Sequence, residues 1–168
     1  MEVDQVKIKI PKKKEKIEKF YNNCEKRKKF INDPENHYKK RLKKSKHDLS
    51  RAISEFDQKC WDWTITKAYY AIHHAGNALF SKRRGKYSKD HSCLIVALKH
   101  LNLIDDNLFK DLAKIHERFS DVFSLDITFQ LRKISQYDVD EWESLTREDA
   151  RTVLDVAKKF VKYAEDSL

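Results

Sequence analysis

Glycine and proline are nearly absent, with two of each in 168 residues. β-Sandwiches and barrels draw heavily on both residues at their turns, so the scarcity predicts long helices joined by few loops. It also excludes chemistry. Gly76 and Gly85 are the only glycines, whereas a P-loop or a dinucleotide fingerprint needs several close together for backbone N–H groups to approach a phosphate. Long apolar runs are missing too. Nothing approaches the ~18–20 residues of a membrane span, and no apolar signal segment opens the chain, so a soluble cytoplasmic protein is expected. Cysteine is sparse. Cys24, Cys60 and Cys93 lie far apart, no pair has zinc-ligand spacing, and free buried thiols are expected. No metal and no cofactor is expected.

Acidic charge is what the first third lacks. Residues 1–50 hold 17 Lys and Arg against 8 Asp and Glu, while residues 51–168 hold 19 of each, so the net charge of +9 sits entirely in the N-terminal third. Such a segment is either an electrostatic footprint for phosphates or a solvated helix face.

What is present is helical periodicity. After an extended lead-in, where Val3 to Ile10 offers a strand, Ile17, Phe20, Tyr21, Cys24 and Ile31 mark one stripe. The "NDPEN" stretch then predicts a break, with Asp33 as cap and Pro34 in the first turn of a helix over 34–58. Within that helix Tyr38, Leu42, Ser45, Leu49, Ala52 and Phe56 recur at helical spacing, with lysines opposite. A third helix over 61–82 carries little charge on any side and is therefore central. Its Ala71, Ala75 and Ala78 form a strip of small residues where another helix can approach closely. A basic loop, "KRRGKYSKD", follows. Asp90 caps a fourth helix through Leu94, Ile95, Leu98 and Leu101, and Asp105 or Asp106 opens a fifth with Leu108, Leu112, Ile115, Phe119 and Phe123 inward. Ile127, Leu131 and Ile134 suggest helix to about 135. Thr146 and Asp149 form a capping-box variant before the last helix.

The segment "KAYYAIHHAGNALF" raises the question of chemistry. Adjacent residues on a helix diverge by about 100°, so His73 and His74 do not share a metal ion, and no His, Asp or Glu lies four residues from either. Each reads as a histidine held by a hydrogen bond at a helix contact, and Tyr70 and His74 are i, i+4 neighbours.

"AYYAIHHAGNALF" resembles the second-helix signature of HEPN domains, the higher-eukaryote and prokaryote nucleotide-binding family. "YSKDHSCLIVALKH", with His91 opening a helix after a basic loop, is similar to the family's next landmark. "LRKISQYDVDEWESLTREDARTVLDVAKKFV" resembles its Arg-to-Tyr-Asp segment and closing helix. The resemblance implies an all-α, up-and-down bundle of about five helices over residues 33–168, with residues 1–32 as an extra basic helical extension, and usually a homodimer. It further implies RNA or nucleotide binding, in some members metal-independent RNA cleavage, toxin–antitoxin or defence systems, and a nucleotidyltransferase partner.

Catalytic members carry an Arg, four to six residues and a His late in the bundle. The His moves a proton and the Arg stabilises the charged phosphorane. Here the position after Arg132 holds Tyr137, whose ordinary pKa near 10 makes it a poor general base. Arg41 to His47 and Arg84 to His91 match the spacing numerically, but neither stands where the motif belongs. Binding without cutting is the reading this supports, through Arg132, Tyr137, the Arg83–Arg84 loop, Lys40, Lys44 and His91. The alternatives are a ribonuclease of non-standard site, with His74 or His91 supplying the imidazole, and a non-catalytic protein-interaction bundle.

Overall fold

The computed structural model describes residues 9–120 and 139–168. Helices dominate, as the shortage of turn residues requires. The order is α1 (Lys14–Lys26), β1 (Phe30–Asn32), α2 (Tyr38–Asp57), α3 (Trp61–Arg84), β2 (Lys86–Ser88), α4 (His91–His100), α5 (Asp106–Phe119), α6 (Val139–Ser144) and α7 (Arg147–Ser167).

Helix α3 is the central pillar. Ile65, Ala68, Ala71, Ala75, Ala78 and Phe80 are fully buried, and the helix packs chiefly against α2 and α7. The small-residue strip does what its size allows. Helix α2 approaches so closely that the buried hydroxyl of Ser45 donates to the Ala71 carbonyl at 2.6 Å. Helix α2 runs antiparallel to α3, since Asp33, ahead of α2, meets Ser81 near the end of α3. Helix α7 runs parallel to α3: Arg147 and Arg151 lie over Phe56 at the start of the pillar, and Ser167 meets Arg83 at its end. Burial of Phe80, Leu79, Leu98, Leu112 and Phe160 contributes roughly 1.5–3 kcal/mol per side chain before entropy is counted.

The expected caps at three helix starts are present. Asp90 accepts from the Cys93 amide, Asp105 accepts from that of Leu108, and Thr146 and Asp149 form a reciprocal box. Gly85, at φ 64°, ends α3 in the left-handed region that favours glycine.

Other details depart from the sequence reading. Helix α2 begins at Tyr38 rather than at Pro34. A turn with Asn36 at φ 48° precedes it, and Asp33 accepts from the His37 amide at 3.2 Å instead of capping a helix of its own. The segment read as the tail of the first helix supplies β1, and part of the basic loop supplies β2. They pair antiparallel, with Ile31 opposite Tyr87. Cys24 and Cys93 are not free thiols but form a disulfide between α1 and α4, with Cα atoms 5.9 Å apart. Ile10 and Ile17 join the same hydrophobic core as α3. The possible strand at Val3 to Ile10 falls almost wholly outside the described residues, as do Phe123, Ile127, Leu131 and Ile134.

Candidate functional site

Three groups of polar side chains are set by the packing around α3. The first is a chain of aromatic and imidazole rings. The Tyr69 hydroxyl and Nδ1 of His116 lie 3.0 Å apart. Tyr69 also meets the His91 ring at 4.7 Å between centroids, and His91 meets His73 at 4.3 Å. Asn77 Nδ2 lies 3.2 Å from His73 Nε2 and donates to the Ser88 carbonyl, while the Ser88 amide donates back to Asn77. Helix α3 therefore holds the start of α4 through β2. Burial pushes the His73 pKa well below its ordinary value, with His91 adding to the effect. Burial brings His116 down to about 4. Both rings are neutral at pH 7 and act as packing and hydrogen-bonding elements.

A cavity of about 10 Å³ lies beside these rings, bounded by Tyr69, His73, Gly76, His91, Leu98 and Phe160. That space suits a single water molecule and is too small for a nucleotide.

The second group lies between α2 and α3. Asp48, only 2% exposed, accepts from Lys44 Nζ at 2.6 Å through Oδ1. Its other oxygen has no hydrogen-bond partner among the described residues. That oxygen faces His74 Nε2 at 3.7 Å. The imidazole of His74 is 28% exposed and stacks with Tyr70 at 6.5 Å. Burial lowers its pKa and Asp48 opposes the shift, while Lys44, Arg41 and His91 reinforce it.

The third group is the basic end of the bundle. Antiparallel packing puts the first turns of α2, with exposed Lys39, Lys40 and Lys43, at the same end of the bundle as the last turn of α3, with exposed Lys82, Arg83 and Arg84. The Lys82 ammonium stands 4.6 Å above the Tyr38 ring, and Arg41 stacks on Tyr87 at 4.2 Å while bonding Asp33. Arg83 donates to the Ser167 carbonyl.

The residues named from sequence are thus dispersed over these groups. His91 joins the ring chain, His74 and Lys44 meet through Asp48, and Lys40, Arg83 and Arg84 stand at the basic end. Arg132 and Tyr137 lie outside the described residues. Sequence reasoning missed Asp48 and His116, and read Asp33 only as a helix cap. The i, i+4 relation of Lys44 to Asp48 is legible in the sequence, but it does not tell which side of α2 faces the core. Among the described residues, no group of three or more His, Cys, Asp or Glu is arranged to hold a metal ion. No described helix is long and apolar enough to cross a membrane.

An antiparallel helix pair that includes a small-residue pillar, closed by a long last helix, makes the described residues an all-α helical bundle. The family model of the HEPN domain matches residues 38–167. The chain belongs to the HEPN family. No curated protein matches it.

Proposed function

We propose that this HEPN protein binds RNA on the basic end of the bundle. The observation that carries the reading is the Lys82 ammonium 4.6 Å above the Tyr38 ring, at the end of the bundle where exposed Lys39 and Lys40 open α2 and exposed Arg83 and Arg84 close α3. Cations track a phosphate backbone, and a ring alongside offers a stacking surface for a base. Arg132 and Tyr137 are proposed to extend the contact surface. In this reading the protein acts in the cytoplasm as a homodimer, with a nucleotidyltransferase partner in a toxin–antitoxin or defence system.

The test is fluorescence anisotropy with a labelled single-stranded RNA over a salt series. The logarithm of the association constant should fall by about 0.7 per phosphate contacted for each tenfold rise in salt. Lys40→Glu and Arg83→Glu should each weaken binding across all sequences. Affinity indifferent to salt refutes the reading. Size-exclusion chromatography with light scattering tests the dimer, and co-purification with a nucleotidyltransferase tests the partner.

A further inference from the structure

We propose that Cys24–Cys93 is a thiol–disulfide switch that docks and releases helix α1 as a unit, a device that holds whichever ligand the basic end takes. The bridge joins an outlying helix to the bundle rather than two elements of its centre. Helix α1 packs chiefly on α4, whereas α2, α3 and α7 pack on one another. Apart from the bridge, its hold is thin. Of its 13 residues only Ile17 and Cys24 are buried, and Cys24 is the bridge itself. Ile10 ahead of the helix and the partly buried rings of Phe20 and Tyr21 complete the apolar contact. Tyr21 stacks on His100 of α4 at 4.4 Å. Arg27 and Lys29 reach Asp90 only at 3.9 and 3.8 Å, with Arg27 58% exposed, and exposed pairs of that length add little. So small a contact does not offset the entropy of ordering the helix, and a helix this short is marginal by itself. The covalent bond supplies the difference.

A hinge adjoins the helix. Lys28, between α1 and β1, is held at φ 55°, a left-handed conformation that costs a lysine free energy. Release relaxes it, while β1 stays paired with β2 and Asp33 keeps Ser81 and Arg41. The bridge also lies where helix ends open. Cys24 is in the last turn of α1 and Cys93 in the first turn of α4. Both residues are 1% exposed, so exchange proceeds through local fraying of those turns.

The reductant is a dithiol and the oxidant a low-molecular-weight disulfide. A thiolate of the dithiol attacks Cys24 Sγ, and the bond to Cys93 Sγ breaks. Cys93 departs as a thiolate, favoured in the first turn of a helix, with Arg27 and Lys29 offsetting the Asp90 carboxylate. The second thiol of the dithiol then displaces Cys24 and closes the reagent's own disulfide. Two electrons and two protons have passed to the protein, leaving two thiols. Glutathione disulfide reverses the step and yields two glutathione thiols. Release uncovers the face of α4 that carries Cys93 and His100.

The experiment treats the full chain with dithiothreitol and then with glutathione disulfide. Alkylation and mass spectrometry count thiols, and amide hydrogen exchange is followed in each state. Dithiothreitol should open the bridge in the folded chain, and glutathione disulfide should close it again. On reduction, amides of residues 14–26 should exchange at least about a hundredfold faster, and at least about tenfold faster than those of residues 65–80 in the same reduced chain. Cys93→Ser should show a released α1 with or without reductant, whereas Cys60→Ser should switch as wild type does. Reduction that leaves α1 as protected as before, or that makes α1 and α3 exchange in step, overturns the switch. A bridge that dithiothreitol opens only in added urea also overturns it and marks a purely structural bond.

Discussion

Replacing Asp33 by Ala should be among the most damaging single changes outside the hydrophobic core. The carboxylate is 5% exposed. It accepts from Ser81 Oγ at 2.7 Å, from Arg41 Nε and Nη2 at 3.3 and 3.2 Å, and from the His37 amide at 3.2 Å, and it meets His37 Nδ1 at 3.0 Å. Removing one member of a buried ion pair costs roughly 3–5 kcal/mol. Two features reduce that figure. Ser81 keeps Asn36 Oδ1 at 3.0 Å, and Arg41 is 20% exposed and stays on Tyr87. The expected loss is therefore about 3 kcal/mol, or roughly 6–12 °C in melting temperature for a chain of this size.

The assay is urea unfolding followed by circular dichroism. The pH dependence is specific. Burial alone raises the Asp33 pKa, but the bonds from Ser81, Arg41 and His37 outweigh it and hold the carboxyl below 3.8. A depressed carboxyl pKa stabilises the fold fully above the unfolded value and loses that effect as pH falls through the folded one. The gap between wild type and Asp33→Ala should be constant from pH 7 to 5 and close below about pH 3.8. Equal urea midpoints at pH 7, or a gap that persists at pH 2, would refute the account.

Gly85→Ala should cost about 1 kcal/mol by thermal melting, because φ is 64° and an added Cβ meets nothing within 4 Å, so the penalty is conformational alone. Gly76→Val should destabilise by about 1–3 kcal/mol in urea, since even a Cβ there lies 3.1 Å from Leu98 Cδ1 and 3.2 Å from Leu94 Cδ2. Reduction of Cys24–Cys93, which closes a sequence separation of 69 residues, should lower stability by about 4 kcal/mol on the chain-entropy account, checked by melting with and without reductant. His116, brought from 6.5 to about 4 by burial, binds its proton more readily when unfolded. Stability should therefore fall between pH 6.5 and 4, and His116→Gln should flatten that part of the pH–stability curve.

The helices were legible because their signals are local. The uncharged surround of residues 61–82 announced the central position of α3, and Asp90, Asp105 and Thr146 announced helix starts within a turn. The β1–β2 ribbon was not legible. Three residues such as Phe30–Asn32 carry no usable period, and their partners lie across two helices. The disulfide escaped for the same reason, since Cys24 and Cys93 meet only once α1 docks on α4. At the seam, His74 was visible as an unusual polar residue in an apolar helix. Asp48 looked like one more charge in a Lys-rich stretch, and only the α2–α3 contact shows it buried. The basic end was half legible, because the lysines of α2 were counted while the antiparallel return that adds Lys82 and Arg83 is a tertiary fact.

The β ribbon and the Cys24–Cys93 bridge bear on where this protein tolerates trimming. The family match starts at Tyr38, which invites expression from there onward. Such a shortened chain would expose the unpaired edge of Lys86–Ser88, withdraw Ile10 and Ile17 from their seats, and leave Cys93 as a reactive thiol. Two edges and two thiols of that kind join readily between molecules, so dimers of a trimmed protein would report the cut rather than the native assembly.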